Sequence, residues 1–275
     1  MKIVLGTDGS QYAQWGLAWA AHFPLTKARQ AVAVHALDLG SLKAPVMVQW
    51  RVAGNAPFIK AEERRREREA GRISTETRAS LRSLGLSGQV VIEQWAPAPM
   101  ILKHAKRGDL IVVGSRGLTR LDRFMLGSVS TQVVQHASCS VLVVKQPPRV
   151  RDKILLAMDG SKESEKAARF LVQRLRALKA EVFMVHVMPP YHKFEAAGQA
   201  VVDRYGEQLT SAGYRVTPTL KVGHPAEEIV KVAEQQKVNL IVAGAKGLGA
   251  IARFFLGSVS TKLVQHSSCS VLIVR

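Results

Sequence analysis

The chain has 275 residues, 47% of them apolar and 22% charged, and a formal net charge of +18. That length suits two domains of ordinary size, and the composition is that of a globular protein rather than a disordered one. No apolar run approaches the roughly 18 residues of a membrane span, the two cysteines make neither a disulfide framework nor a four-ligand zinc site, and the short apolar start gives no signal peptide, so a cytoplasmic protein is expected.

"KIVLG" (2–6) opens as a strand and runs into "TDGS" (7–10), where Ser10 is placed to cap the helix "SQYAQWGLAWAAHF". "AVAVHAL" (31–37) is the second strand, and His35 within it reads as a core histidine, because no second ligand stands at metal spacing. "AEERRREREAGR" (61–72) reads as a charged helix that mixes attractive and repulsive neighbours, a solvated face or a lid over the nearby site. Strand "QVVIEQ", helix "PAPMILKHA", strand "DLIVVG", helix "SVSTQVVQHA" and strand "SVLVVK" follow. The proline-bearing linker "QPPRVRD" (146–152) cannot continue a ladder. After it come strands "KILLAM", "EVFMVHV", "RVTPTLKV", "NLIVAG" and "SVLIVR", with helices such as "SEKAARFLVQRLRAL" between them.

Apolar runs without polar alternation suit parallel strands buried on both faces. Their alternation with helices predicts an α/β fold with right-handed crossovers and doubly wound sheets. Ligands on such sheets sit beyond the carboxyl ends of the strands.

The order of elements repeats. Residues 114–145 align with 244–275 without a gap, and 20 of the 32 positions are identical. "KIVLGTDGS" matches "KILLAMDGS", "AVHAL" matches "MVHVM", and "PAPMILKHA" matches "PAEEIVKVA". The chain is therefore a tandem duplication, with domains expected at 1–147 and 148–275. The first repeat carries about 23 extra residues, placed in the region 38–80. Basic excess is spread over both halves, which favours anionic partners such as phosphates. Cys139 and Cys269 occupy equivalent positions and read as small buried residues before a strand. His136 and His266 fall near helix ends, where a cation meets the dipole favourably.

"GSRGLTRLDRFMLGS" (114–128) and "GAKGLGAIARFFLGS" (244–258) share one spacing of glycines, G-x2-G-x9-G-S. Gly114 and Gly244 each end a strand, and Gly117 and Gly247 lie in a turn where a side chain would block close approach of a ligand. The pairs Gly127-Ser128 and Gly257-Ser258 open a helix, whose unpaired N–H groups favour an anion. Ser128, Ser130, Ser258 and Ser260 can add hydroxyls or cap that helix. The unit is a phosphate cradle made mainly of backbone, and its spacing is neither that of a Walker A loop nor that of a GxGxxG fingerprint.

With these motifs, and with "H-A/S-x-C-x-V-L-V/I-V" closing each repeat, the chain resembles the universal stress protein family over nearly its whole length. The resemblance implies two five-stranded, Rossmann-like domains of the adenine-nucleotide α-hydrolase type, packed as a pseudo-dimer. It implies ATP or a related adenine nucleotide as ligand, with Mg2+ carried by the phosphates. It places Asp8 and Asp159 near the ribose or a phosphate-bound metal, and the backbone of Ala36 and Val187 against adenine. Gly114, Gly117, Gly127, Ser128, Val129 and Ser130 would hold ribose and phosphates in the first repeat. Gly244, Gly247, Gly257, Ser258, Val259 and Ser260 would do so in the second. Arg116 and Lys246 either add charge to the phosphates or are solvated turn residues. The second repeat has "GHPAEEI" where the first has "WAPAPMI", so Trp95 would stack on a base or block the pocket, and the second site is the expected nucleotide site.

Three functions follow as expectations. The first is a nucleotide-dependent regulatory or protective module of the stress response, its repeats paired within the chain and the chain able to dimerise. The second is a slow ATPase or phosphotransferase using Asp8 or Asp159 as base. The third is a scaffold with vestigial pockets whose basic surface binds nucleic acid or membrane.

Overall fold

The computed structural model describes residues 1–24, 30–37, 39, 56–117, 126–175, 178–188, 190, 195–247 and 256–275. The middle of each glycine pattern (118–125 and 248–255) and most of the first part of the insertion lie outside the described residues.

The first half runs β1 (Ile3–Gly6), α1 (Gln11–His22), β2 (Gln30–Ala36), α2 (Ala56–Ser83), β3 (Ser87–Glu93), α3 (Pro97–Lys103), β4 (Leu110–Gly114), α4 (Ser128–His136) and β5 (Ser140–Val144). The second half repeats the order with β6 (Asp152–Met158), α5 (Lys162–Arg174), β7 (Ala180–Met188), α6 (Glu195–Ser211), β8 (Arg215–Val222), α7 (Pro225–Gln235), β9 (Leu240–Gly244), α8 (Ser258–His266) and β10 (Ser270–Val274). Local chemistry sets the boundaries. The Ser10 hydroxyl accepts from Ala13 N at 3.3 Å and Ser161 from Ser164 N at 3.2 Å, capping α1 and α5. Pro97 and Pro225 open α3 and α7, where the missing N–H costs nothing.

All ten strands form one sheet in the order β3-β2-β1-β4-β5-β10-β9-β6-β7-β8. Strands within each half are parallel, whereas β5 and β10 are antiparallel. The carboxyl ends of β1–β5 and of β6–β10 therefore point in opposite directions along the strands. Helices cover both faces. Leu17 and Trp19 of α1 and Phe23 at its C-cap pack in one continuous core with Leu171 of α5 and Leu209 of α6. On the other face, Ile101, Val133 and Val134 share a core with Ile229, Leu263 and Val264. The outer strands β3 and β8 depart from the doubly buried expectation, for they are the sheet edges and are mostly exposed or half-buried.

The two repeats pair within the chain. Val141, Leu142 and Val143 face Ile273, Leu272 and Val271, all with no exposed surface. Trp19 Nε1 donates to Gln146 O at 2.8 Å, and His22 Nε2 lies 2.6 Å from Asp152 Oδ2. Each end strand also hands a cation to the other repeat. Lys145 Nζ donates to the carbonyls of Gln265 and Ser267 at the end of α8. Arg275 Nη2 donates to Val134 O in α4 at 2.7 Å.

Candidate functional site

The site is built first from the turn after β1. Gly9 takes φ +77° and Gly160 takes φ +78°, the left-handed region open to glycine, so the chain can reverse directly into α1 and α5. That reversal lets each aspartate bond its own turn, with Ser10 N donating to Asp8 Oδ1 at 3.0 Å and Ser161 N to Asp159 Oδ1 at 2.9 Å. The second oxygen of each carboxylate points at the glycine pattern. A Cβ on Gly117 would stand 2.6 Å from Asp8 Oδ2, and one on Gly247 would stand 2.5 Å from Asp159 Oδ2. The second glycine of the pattern thus admits the aspartate, a constraint beyond the ligand access expected from sequence.

The far end of the pattern is braced by its own serine. Ser130 is 2% exposed, and its hydroxyl faces Ser115 O at 3.2 Å and Gly127 O at 2.9 Å. Ser260 Oγ donates to Gly244 O at 2.7 Å. Gly127 N and Gly257 N donate to Ser115 O and Ala245 O, both at 2.8 Å, which closes the loop back on the strand that launched it. The N-caps of α4 and α8 are Gly127 and Gly257, and no side chain caps either helix. Of the two roles open to the serines, bracing falls to Ser130 and Ser260, and neither Ser128 nor Ser258 is a cap. The first N–H groups of α4 and α8 are left for a ligand or water.

A cavity of about 520 Å3 lies between the turn, the loop and α4. Asp8, Ala36, Gly114, Arg116, Gly117, Gly127, Ser128, Val129 and Ser130 all line it, so these nine residues singled out in the first repeat meet in one place. Its volume falls in the range of small-molecule sites. Val34, Ile101, Val113 and Leu126 supply an apolar wall that sequence reasoning did not single out. The repeated "PA-x-x-I" of α3 and α7 was the available signal for Ile101. His35 also lines the cavity, with Nδ1 2.8 Å from Thr7 O, and His186 makes the same bond to Met158 O at 2.8 Å. Both are braced core histidines. Arg116 lies in the wall with its guanidinium 5.9 Å from the Tyr12 ring centroid and Nη1 donating to Tyr12 Oη at 3.3 Å. Trp95 is 63% exposed and is not part of the lining.

In the second repeat Asp159, Gly244, Lys246, Gly247, Gly257, Ser258, Val259 and Ser260 occupy the matching turn, strand end, loop and helix start. Val187 follows His186 on β7 as Ala36 follows His35 on β2. Helix α2, which holds the charged run and has α6 as its counterpart in the second repeat, is longer than that run suggested and does not line the cavity. It packs behind the turn instead: Thr77 Oγ1 lies 3.4 Å from Thr7 Oγ1, and a Cβ on Gly9 would meet Ile73 Cγ1 at 3.0 Å.

Neither cysteine is a reactive thiolate, because burial pushes Cys139 up to about 11 and Cys269 up to about 12. Among the described residues no group of three or more His, Cys, Asp or Glu is placed to hold a metal ion, and no helix is long and apolar enough to cross a membrane.

Known proteins are similar to this chain in sequence and in fold. The sequence model of the universal stress protein family matches residues 1–145 and again 151–275. A universal stress protein of Mycolicibacterium smegmatis is 26% identical, over 99% of this chain and 96% of its own. One of Mycobacterium tuberculosis H37Rv is 25% identical over the same shares. The crystal structure of a universal stress protein from Archaeoglobus fulgidus superposes with a TM-score of 0.76 at 20% identity, covering 100% of this chain and 98% of that one. Two family matches in series, on a fold whose halves repeat element by element, leave one conclusion: the chain belongs to the universal stress protein family and carries the family's domain twice in tandem.

Proposed function

We propose that the chain is a stress-response module regulated by an adenine nucleotide, with ATP bound in the cavity of the first repeat and, by equivalence, at the matching residues of the second. The observation that carries this reading is the convergence of the nine residues on one cavity with an uncapped helix N-terminus on its wall. A phosphate chain fits the N–H groups of Ser128, Val129 and Ser130, favoured by the helix dipole. The apolar wall beside the backbone of Ala36 suits a base. Asp8 lines the same cavity, where it can accept from a ribose hydroxyl or meet Mg2+ brought in by the phosphates. The site offers fixed donors, and these hold a ligand.

Calorimetric titration of the nucleotide-stripped protein with Mg-ATP tests the reading. Saturable binding is expected, with at least one molecule per chain. Gly117→Val drives a side chain into Asp8 Oδ2 and should weaken binding at the first site by more than about tenfold, with an unchanged far-UV circular dichroism spectrum. No heat from wild-type protein at millimolar Mg-ATP would overturn the proposal.

A further inference from the structure

Helix α2 carries a feature that the nucleotide site does not use. Lys60, Arg64, Arg68, Arg78 and Arg82 are all exposed. With the exposed Gly71 and Thr75 between them, they follow helical spacing of three and four, so all seven share one face. At 1.5 Å per residue the row is about 33 Å long. None of the five cations makes an ion pair with a described residue. Glu62, Glu69 and Glu76 lie on one flank, where Arg65, Arg66 and Arg72 pair with them, and Glu63 and Glu67 border the other flank. The row itself holds no carboxylate and no aromatic ring.

The fold does not require this row. In the second repeat, α6 packs against β8 and the Asp159 turn as α2 packs against β3 and the Asp8 turn, with Val201 near Gly160 where Ile73 is near Gly9. Yet α6 has Glu195, Asp203 and Glu207 against a single Arg204, a formal charge of −2. Helix α2 has eight basic and five acidic residues, a formal charge of +3. One scaffold position has thus been filled twice with opposite net charge.

We infer that the outer face of α2 is a docking surface for the phosphate backbone of a nucleic-acid duplex. A straight row of unpaired cations matches a regular row of phosphates. The missing aromatics remove the means of stacking on unpaired bases. A membrane surface fits less well, because a helix lying in lipid needs an apolar face to insert, and Ile59, Ile73 and Leu81 already spend that face on the protein core. Recognition through phosphates alone positions the duplex without reading sequence.

The test is fluorescence anisotropy with a labelled 25-base-pair DNA duplex of random sequence and an RNA duplex of the same length, each across a salt series. Four or five phosphate contacts predict a slope of log K against log salt near −4, so affinity should fall about 10²-fold between 50 and 200 mM salt. The variant R64Q/R68Q/R78Q/R82Q should lose about three units of that slope while its melting temperature and Mg-ATP titration stay those of wild type. The control K106Q/R107Q/R151Q/K179Q removes equal charge from exposed positions elsewhere and should change affinity by less than about threefold if the row is the site. Equal binding of the two duplexes supports a surface that reads backbone alone. Equal losses in both variants would reduce the effect to net charge and overturn the proposal. So would the absence of duplex binding at 50 mM salt, or retention on phosphatidylserine vesicles without any binding of duplex.

Discussion

Single side chains set the geometry of the candidate site by what they refuse as much as by what they bond. Gly117 and Gly247 leave room for a carboxylate, while Ser130 and Ser260 tie the loop to the strand end. Removing the Ser130 hydroxyl leaves the buried Ser115 carbonyl without this donor. Ser130→Ala should therefore cost about 1–2 kcal/mol in urea denaturation and weaken Mg-ATP binding, and a variant equal to wild type in both would refute the bracing role. The residue types and their spacing were legible in the sequence because the pattern occurs twice. The contact between Gly117 and Asp8 was not, since it joins positions more than a hundred residues apart that only the β1·β4 pairing brings together. Trp95 was misplaced for a related reason. Its position in the "PA" loop suggested the pocket, yet its side chain stands on the solvent side.

Among the elements, strands and helices were readable in order and type, because the buried strands β1, β4, β5, β6, β9 and β10 are short apolar runs. The outer strands β3 and β8 gave the same signal but lie at the edges, and sequence carries no record of which strand ends a sheet. Nor did it show the exchange of Lys145 and Arg275 between the end strands and the far helices. Burial of Lys145 lowers its pKa from the ordinary 10.5 to about 8. Below pH 8 the lysine is charged in both folded and unfolded chains. Between about pH 8 and 10.5 the unfolded chain binds more protons, so this residue makes the protein more stable as pH rises. The stability difference between wild type and Lys145→Met should grow in favour of wild type by at most about 1.4 kcal/mol per pH unit across that window, and stay flat below pH 7. A difference that is flat throughout would mean that the folded lysine keeps its ordinary value. Cys269, whose raised thiol makes stability fall above pH 9, interacts with Lys145, so the comparison is made in a Cys269→Ala background.

The whole molecule is one sheet with a seam at its centre. The fully buried β5·β10 pairs, the cores that cross from one half to the other and the Asp152 cluster with His22 and Asn239 all bind the repeats together. The chain should accordingly unfold in one cooperative transition by calorimetry. Leu272→Ala should lower that single transition by about 2–5 kcal/mol, and two resolved transitions in either protein would contradict a shared core. Duplication was plain in the sequence, but the seam itself was only implied by its apolar end strands, since pairing across it is a matter of tertiary contact.

The antiparallel seam also decides where the two aspartate turns stand. Because the two strand sets run in opposite directions, the Asp8 turn after β1 and the Asp159 turn after β6 stand at opposite ends of the strands.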